Sequence, residues 1–288
     1  MWGSAIDFNT HAVDFLLRTT KKYGNIFTIR LINQHLTIVN DVHSYEALSK
    51  ERNFDFDPIQ KQVNWNVFSF ILSKPKKMIK DTGRTVRGAN LGKSMTQFVE
   101  KLDFAFGKKD LPLKEWETQG LRSFASDTIF AGLFNSIFGA SDNHAFNAKD
   151  TCNNFDVFHK YFNFFWLGFP KKCFPSAMKA LENMLCQPSA HELMNRDDVS
   201  DYIRTAIDFM VSEGQSESDI MGHNLVYLHV NYNTFRLAFW VLHNILTDEK
   251  AYTALMDELT QAIEDRRYGD EATFNTKEVE QLPILGKL

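Results

Sequence analysis

A continuous helical pattern over residues 218–246 is the feature that most constrains the fold of this chain. At 1.5 Å per residue such a helix spans roughly 40 Å, which is enough to cross a whole domain. Ser218 or Asp219 supplies the N-cap side chain, and the pattern runs to about Leu246. An element that crosses the domain limits where every other element can pack.

The middle of this helix, "LHVNYNTFRLAFW" (228–240), has the composition of a buried segment but carries several polar residues. Unpartnered polar groups inside a protein cost roughly 1–3 kcal/mol each. At about 100° per residue, one face is apolar except for an Asn–Thr pair. That face contains Val226, Val230, Asn233, Thr234, Leu237 and Val241.

Two interpretations of that face are open. In the first, the helix is interior, and the Thr234 hydroxyl bonds back to the carbonyl four residues earlier. In the second, the face is the apolar wall of a ligand pocket with one small polar notch. His229 and Trp240 flank the face, and Arg236 lies within cation–π reach of Trp240.

The rest of the chain predicts a mainly α protein with a small N-terminal antiparallel sheet. Residues 5–22 form an amphipathic helix, with apolar contacts predicted at Phe8, Val13, Phe15 and Leu16. "YGNIFTIRL" and "LTIVND" alternate with period two around the turn "INQH", which is typical of a β-hairpin. Helices follow from "VHSYEALSKE" onwards, and no internal repeat is present.

Composition excludes several classes of protein. The chain is 44% hydrophobic with 26 Phe, which is enough for a large core. A net charge of −4 argues against a nucleic-acid partner. Cys152, Cys173 and Cys186 are too sparse for a disulfide framework. No signal peptide or apolar run of about 18 residues is readable, so we expect no membrane anchor in this chain.

Two short motifs fail on their spacing. "GANLGKS" (88–94) ends like a phosphate-binding loop, but Arg87 stands where the first Gly is required. "HELMN" (191–195) lacks the second His of a zinc-protease helix, and we predict no metal site there.

The stretch 74–93 holds seven basic residues against one acid, Asp81. It is either a solvated face or a docking patch for an acidic partner or anionic cofactor group.

Several segments, taken in order, resemble the cytochrome P-450 superfamily, in particular the branch of sterol 7α- and 12α-hydroxylases and prostacyclin synthase. "KKYGNIFTIRL" and "LTIVND" resemble the run into the first sheet, and "NFDFD" the element before the B–C region. "WETQGLRSFASDTIFAGLFNSIFG", from Trp116 to Gly139, is similar to the D–E region, and "NNFDVFHKYFNFFWLGFP" to the F–G region. "NYNTFRLAFWVLHNIL" resembles the I helix, while "LTDEKAYTALMDEL" and "VEQLPIL" resemble the J helix and the approach to the K helix.

The resemblance implies a single incomplete cytochrome P-450 domain over 1–288. Its parts are the hairpin and following helix (about 24–50), the helical B-to-H region (51–217), the I helix (218–246), the J helix (247–269) and the run-in to the K helix (276–288).

The resemblance also implies a heme cofactor and roles for individual residues. Thr234 would help to deliver protons to dioxygen at the heme, with Asn233 in place of the acid common elsewhere in the superfamily. Heme contacts fall on Val230, Leu237 and Val241, and substrate contacts fall on Val226, His229 and Trp65. The implied reaction is sterol hydroxylation in bile acid and lipid metabolism, or isomerisation of the prostacyclin-synthase type. The implied electron donor is NADPH-cytochrome reductase at the endoplasmic reticulum membrane, docking near 74–93.

This chain departs from the pattern of the branch at several positions. Asn231 stands where the superfamily usually has Ala or Gly. Arg236 is bulky, whereas the branch often has a small residue or Pro at that position. The K-helix Glu-x-x-Arg is missing, and the pair Glu264–Arg267 precedes "LPIL" and so does not replace it. None of the three cysteines has the Phe-x-x-Gly setting of the heme thiolate. We therefore expect a truncated or partial monooxygenase that is inactive alone. The alternatives are a non-catalytic helical protein that binds a sterol or a partner, and a product that folds poorly.

Overall fold

A computed structural model describes residues 4–32, 34–51, 53–107, 118–140, 146–265 and 276–287. Contacts divide the chain into two compact units, one formed by 1–72 with 154–185 and the other by 73–153 with 186–288. The assignment of 1–288 to a single domain stays a prediction.

The first unit contains the only sheet found in the described residues, together with short helices. Strand β1 (Ile26–Leu31) pairs antiparallel with β2 (Gln34–Val39), which confirms the predicted hairpin. The helices are α1 (Ala5–Thr10), α2 (Ala12–Tyr23), α3 (Tyr45–Lys50), α4 (Asp57–Asn66), α10 (Phe162–Trp166) and α11 (Pro175–Met184). Short 3-10 turns occupy Val42–Ser44 and Lys171–Cys173.

The second unit is helical throughout its described part. Its helices are α5 (Pro75–Thr82), α6 (Ala89–Gly107), α7 (Leu121–Ala125), α8 (Ala131–Phe138), α12 (Ala190–Met194), α13 (Asp201–Ser212), α14 (Glu217–Thr247), α15 (Glu249–Glu264) and α16 (Thr276–Gln281). A π-helical segment, Ser126–Phe130, joins α7 to α8. Helix α9 (Ala148–His159) begins in the second unit and ends in the first.

Alternation along β1 builds the core next to the hairpin. Phe27, Ile29 and Leu31 point to one face and are buried, while the residues between them are exposed, because side chains alternate along a strand. Phe15 of α2 packs into the same cluster. The predicted contact at Val13 is wrong, since that side chain is 70% exposed. The helix predicted over 5–22 breaks at His11, whose backbone (φ −138°, ψ 49°) is not helical.

Phenylalanines fill the core of the second unit. Phe134 packs against Phe138 and Phe146 at centroid distances of 5.4 and 4.9 Å, and all three are at most 1% exposed. Helix α8 ends at Gly139, which has φ +75°. A Cβ there would lie 2.2 Å from Asp198 Oδ1, so the turn requires glycine. Asp198 also accepts the backbone N–H of Ala140 at 2.7 Å.

The fold class predicted from the sequence, mainly α with a small N-terminal antiparallel sheet, is confirmed. Some sequence predictions fall outside the described residues, namely those for Trp116, Arg267 and the end of the J helix near 269. In the described part the J-helix segment is α15, which starts after its N-cap Asp248. The K-helix run-in holds α16 and a 3-10 turn at Leu285–Lys287.

Candidate functional site

Helix α14 is the long helix that the sequence predicted, with a different N-cap. Ser216, rather than Ser218 or Asp219, caps it: its hydroxyl accepts the Asp219 N–H at 3.2 Å. The Asp219 carboxylate in turn accepts the Ser216 backbone N–H at 3.3 Å, completing a capping box. The acids Glu217 and Asp219 in the first turn also complement the helix dipole. With 31 residues the helix is about 46 Å long.

Burial along α14 changes sharply near its middle. From Ile220 to His229 most side chains are buried, and His229 itself is 9% exposed. Beyond that point the buried residues are Tyr232 and Phe235, on one side of the helix. The Phe235 ring meets Phe130 of the π-helical segment edge-on at 5.5 Å. In the described residues, therefore, the second half of α14 is covered on one side.

The other side of this second half is open. We call the residues Val230, Asn233, Thr234, Leu237 and Val241 the 230–241 face. Val230 is 55% and Leu237 65% exposed, Asn233 and Thr234 are also exposed, and Val241 is half-buried. Trp240, which borders the face, is 53% exposed. Residues two apart on a helix differ by about 200°, so Val230 and Tyr232 point to opposite sides.

The expectation that the polar residues of this stretch lie inside the protein is therefore wrong for Asn233, Thr234 and Arg236, which are exposed. The helix packs through Tyr232 and Phe235 instead, and this places the Asn–Thr pair on the outer side. Asn231, which is half-buried, donates its side-chain amide to the Tyr227 carbonyl at 2.9 Å. Its polar group is thus satisfied within the helix.

The polar notch is chemically available. Thr234 Oγ1 lies 3.5 Å from the Val230 carbonyl oxygen, at the outer limit of a hydrogen bond. The back-bond that the interior interpretation requires is therefore weak. The hydroxyl can donate to, or accept from, a group outside the helix, and the Asn233 amide beside it offers two donors and one acceptor oxygen.

The predicted substrate contacts belong to different units of the structure. Val226 is half-buried and His229 is buried, both on α14. Trp65 is on α4 of the first unit and is 60% exposed. Trp240 makes ring contacts with Phe239 at 5.3 Å and with His243 at 5.4 Å.

A stacked cluster of one buried histidine and two half-buried tyrosines, which includes residues of the first half of α14, was not predicted from the sequence. Tyr202 of α13 stacks on Tyr227 at 3.6 Å with 8° between the planes, and His223 lies 6.2 Å from Tyr202. Burial lowers the pKa of His223 to about 4 and raises the pKa of Tyr227 to about 12. His223 and Tyr227 are four residues apart, a spacing that could have indicated a shared face.

The basic stretch 74–93 is exposed but largely compensated. Lys74 and Lys77 both pair with Glu213, and the hydrogen bond from Lys74 is the main reason that the pKa of Glu213 lies below its usual value. Lys93 pairs with Asp201 at 2.7 Å, and Arg84 lies 3.9 Å from Asp81. This pairing favours the solvated-face interpretation over much of the stretch.

The three cysteines lie away from the 230–241 face in sequence, and the described part of the chain contains no disulfide between them. Cys152 is buried on α9, with the Arg122 guanidinium 3.9 Å from its sulfur, while Cys173 and Cys186 are exposed. In the described ranges no three His, Cys, Asp or Glu side chains are grouped as metal ligands. A search of the same ranges finds no helix with the length and hydropathy of a membrane span.

Curated relatives match almost the whole chain. Cytochrome P-450 7A1 of Oryctolagus cuniculus is 23% identical over 99% of this chain and 61% of its own length. The 7-alpha-hydroxycholest-4-en-3-one 12-alpha-hydroxylase of Homo sapiens is 23% identical over 98% of this chain and 59% of its own. Prostacyclin synthase of Rattus norvegicus is 24% identical over 91% of this chain and 55% of its own. The chain therefore spans about three fifths of the length of these relatives.

Among solved structures, retinoic acid-bound cyanobacterial CYP120A1 matches with a TM-score of 0.62 and 12% identity. The match covers 99% of this chain and 65% of that chain, and at this identity it shows the fold. The chain matches no protein-family model. The predicted resemblance to the cytochrome P-450 superfamily, and to its branch of sterol hydroxylases and prostacyclin synthase, is confirmed, as is the likeness to only part of those proteins.

Proposed function

We propose that this chain supplies the I-helix wall of a heme-thiolate monooxygenase that hydroxylates a sterol. The observation that carries the proposal is the open 230–241 face, an aliphatic surface interrupted by one Asn–Thr notch. The sequence likeness to sterol 7α- and 12α-hydroxylases gives the proposal its substrate class.

The residues of this face fit one side of a heme. Val230, Leu237 and Val241 are uncharged and branched, and two of them are more than half exposed, so they offer the apolar contact that a porphyrin plane needs. Asn233 and Thr234 place their polar atoms between these aliphatic side chains. A bound heme would supply the oxygen chemistry of the proposed reaction.

Thr234 and Asn233 perform the polar part of the proposed mechanism. The Thr234 hydroxyl forms only a weak hydrogen bond to the Val230 carbonyl, so it is free to act elsewhere. In the proposed mechanism it donates a proton to the reacting oxygen and takes a proton back from water. Asn233 does not titrate, so its amide orients a water molecule or a substrate hydroxyl by hydrogen bonding. Val226, His229 and Trp65 remain the proposed substrate contacts.

The proposed thiolate is not one of the cysteines of this chain. Cys152 is buried beside Arg122, and the sequence contexts of Cys173 and Cys186 differ from Phe-x-x-Gly. We expect that, after heme reconstitution of this chain, the reduced CO complex lacks a thiolate-type Soret band. The appearance of that band would contradict the assignment and would direct attention to one of these cysteines.

Heme titration of paired variants tests the 230–241 face directly. Val230→Asp places a carboxylate on the face, and because a desolvated charge against an apolar ligand is costly, heme affinity should fall at least about tenfold. Val211→Asp is a matched control, since Val211 of α13 is 57% exposed against 55% for Val230. Soret absorbance is the measurement. Equal heme affinity in both variants would remove α14 from the heme site.

A non-catalytic helical protein that binds a sterol or a partner is the second candidate. It is favoured by the same exposed aliphatic side chains. A fluorescent sterol distinguishes the two. Tight sterol binding without heme, weakened by Leu237→Asp, would favour the binding protein, whereas sterol binding that requires heme would favour the monooxygenase.

The resemblance further supports NADPH-cytochrome reductase as a partner at the endoplasmic reticulum membrane. Within the basic stretch 74–93, the exposed residues Lys80 and Arg87 form no ion pair within the described part of the chain, so they are the cations best placed to meet an acidic partner. Reversing both charges should weaken reductase binding at low salt. Reversing the charge of Lys179, which is exposed and lies outside this stretch, should not, and equal effects would assign the loss to net charge alone.

A further inference from the structure

Lys171 is a half-buried cation that forms no ion pair with the described residues. It opens the 3-10 turn Lys171–Cys173, and its ammonium contacts the Ser69 hydroxyl. No carboxylate within the described ranges pairs with it, and burial lowers its pKa. Partial burial disfavours the charge of an ammonium group, and an anionic partner would offset that cost.

Ser69 has an unusual backbone conformation at this contact. Its φ is +60°, which is uncommon for a residue with a Cβ. Phe68 and Phe70 on either side are 2% and 1% exposed, so two buried rings fix the loop while Ser69 itself stays exposed. A strained conformation that the surrounding core maintains is often found where a side chain is held for binding.

We propose that Lys171 and Ser69 form a binding site for an oxyanion, either phosphate or carboxylate. Ser69 occupies one of the three donors of the Lys171 ammonium, which leaves two for a ligand. Ser69 can donate its own proton to the same oxyanion. The next residue, Lys172, is exposed and has no role in the proposed site. Burial lowers the pKa of Lys171 to about 8, and a bound anion would raise this pKa again.

The oxyanion can be free or carried by an amphipathic lipid. Ile71, two residues from Ser69, is 62% exposed, and Phe169, two residues from Lys171, is half-buried. Apolar side chains next to a cationic site suit a lipid phosphate as well as a free one. The two sources share the same chemistry at Lys171, so they are separated by the choice of probe.

Calorimetric titration of the purified chain with inorganic phosphate, at constant ionic strength, is the first experiment. Lys171→Met keeps the apolar stem and removes the charge, and it should lower phosphate affinity at least about tenfold. Ser69→Ala should lower it a few-fold, because one hydrogen bond is lost. Lys172→Met is the matched control for charge, and it should stay within about twofold of the unmodified chain.

Co-sedimentation with vesicles separates the two sources. Phosphatidylcholine vesicles with and without phosphatidic acid serve as probes. Phosphate binding that Lys171→Met abolishes supports a free oxyanion, while binding only to phosphatidic acid vesicles, with the same dependence on Lys171, supports a lipid phosphate. The proposal is overturned if neither probe binds, or if Lys171→Met binds as the unmodified chain does. If Lys171→Met fails to fold, the other two variants decide: an equal loss of phosphate affinity in Ser69→Ala and Lys172→Met would overturn the proposal.

Discussion

The buried His223 predicts a loss of stability in mild acid that can be measured residue by residue. Burial lowers its pKa from 6.5 to about 4, so the folded protein holds it neutral where the unfolded chain protonates it. The unfolded state binds more protons between these two values. The stabilisation is therefore complete above about pH 6.5 and is lost as the pH falls toward about 4.

The size of the effect follows from the two pKa values. The difference between 6.5 and about 4 corresponds to a total on the order of 3 kcal/mol, of which about 2 kcal/mol is lost by pH 5. His223→Phe removes the titration while keeping a flat ring near Tyr202, whose ring plane lies within 9° of the imidazole plane. From about pH 7.5 to pH 5 the unmodified chain should lose free energy of unfolding. The loss in His223→Phe over the same range should be smaller by about 2 kcal/mol.

Guanidinium unfolding at the two pH values gives this difference directly. The comparison between variants decides the question, rather than the pH dependence of either variant alone. His191→Gln, which removes an exposed histidine, is the control for the loss of a histidine as such. If His223→Phe retains the pH dependence of the unmodified chain to within about 0.5 kcal/mol, the imidazole is not held neutral by burial and the reasoning fails.

Two further predictions concern stability and are measured by the same denaturation assay. Phe130→Ala should lower the free energy of unfolding by about 3–5 kcal/mol. The Phe130 ring is 0% exposed and lies 5.5 Å from the Phe235 ring, so its removal leaves a cavity. A loss below about 1 kcal/mol would contradict this packing. Ser216→Ala should cost about 1 kcal/mol and Ser218→Ala much less, since the Ser216 hydroxyl accepts the Asp219 N–H; the reverse order would restore the N-cap first predicted at Ser218.

The N-cap of α14 shows how far local rules reach. Within "SESD" (216–219) three side chains qualify as caps, and the choice between them needs the residue three positions on. Ser216 has Asp219 there and forms a reciprocal pair, whereas Ser218 has Met221. Spacing could therefore have identified the right cap. The hairpin was predictable for a similar reason, because period-two alternation fixes the register of β1 on β2.

Burial on α14 could not be predicted in the same way. The helix carries apolar residues on both sides of its second half, so periodicity alone does not tell which side packs. The tertiary partner decides: Phe130, itself fully buried, contacts Tyr232 and Phe235, and the 230–241 face is left open. The sequence predicts on which side of the helix a side chain lies. It does not predict whether that side is exposed, because exposure depends on residues about a hundred positions away.

The two halves of α14 consequently have different physical roles. The first half is fixed by burial on most sides, and its polar groups, His223 and Tyr227, are kept in their neutral forms by desolvation. The second half is anchored through Tyr232 and Phe235, so the notch at Asn233–Thr234 is carried on a rigid element while remaining open. A helix held firmly from one side positions a hydroxyl more accurately than a loop could, and the proton delivery proposed for Thr234 requires such positioning. For this reason Phe130→Ala should loosen the 230–241 face and weaken heme binding as well as stability, although Phe130 is on the opposite side of the helix from that face.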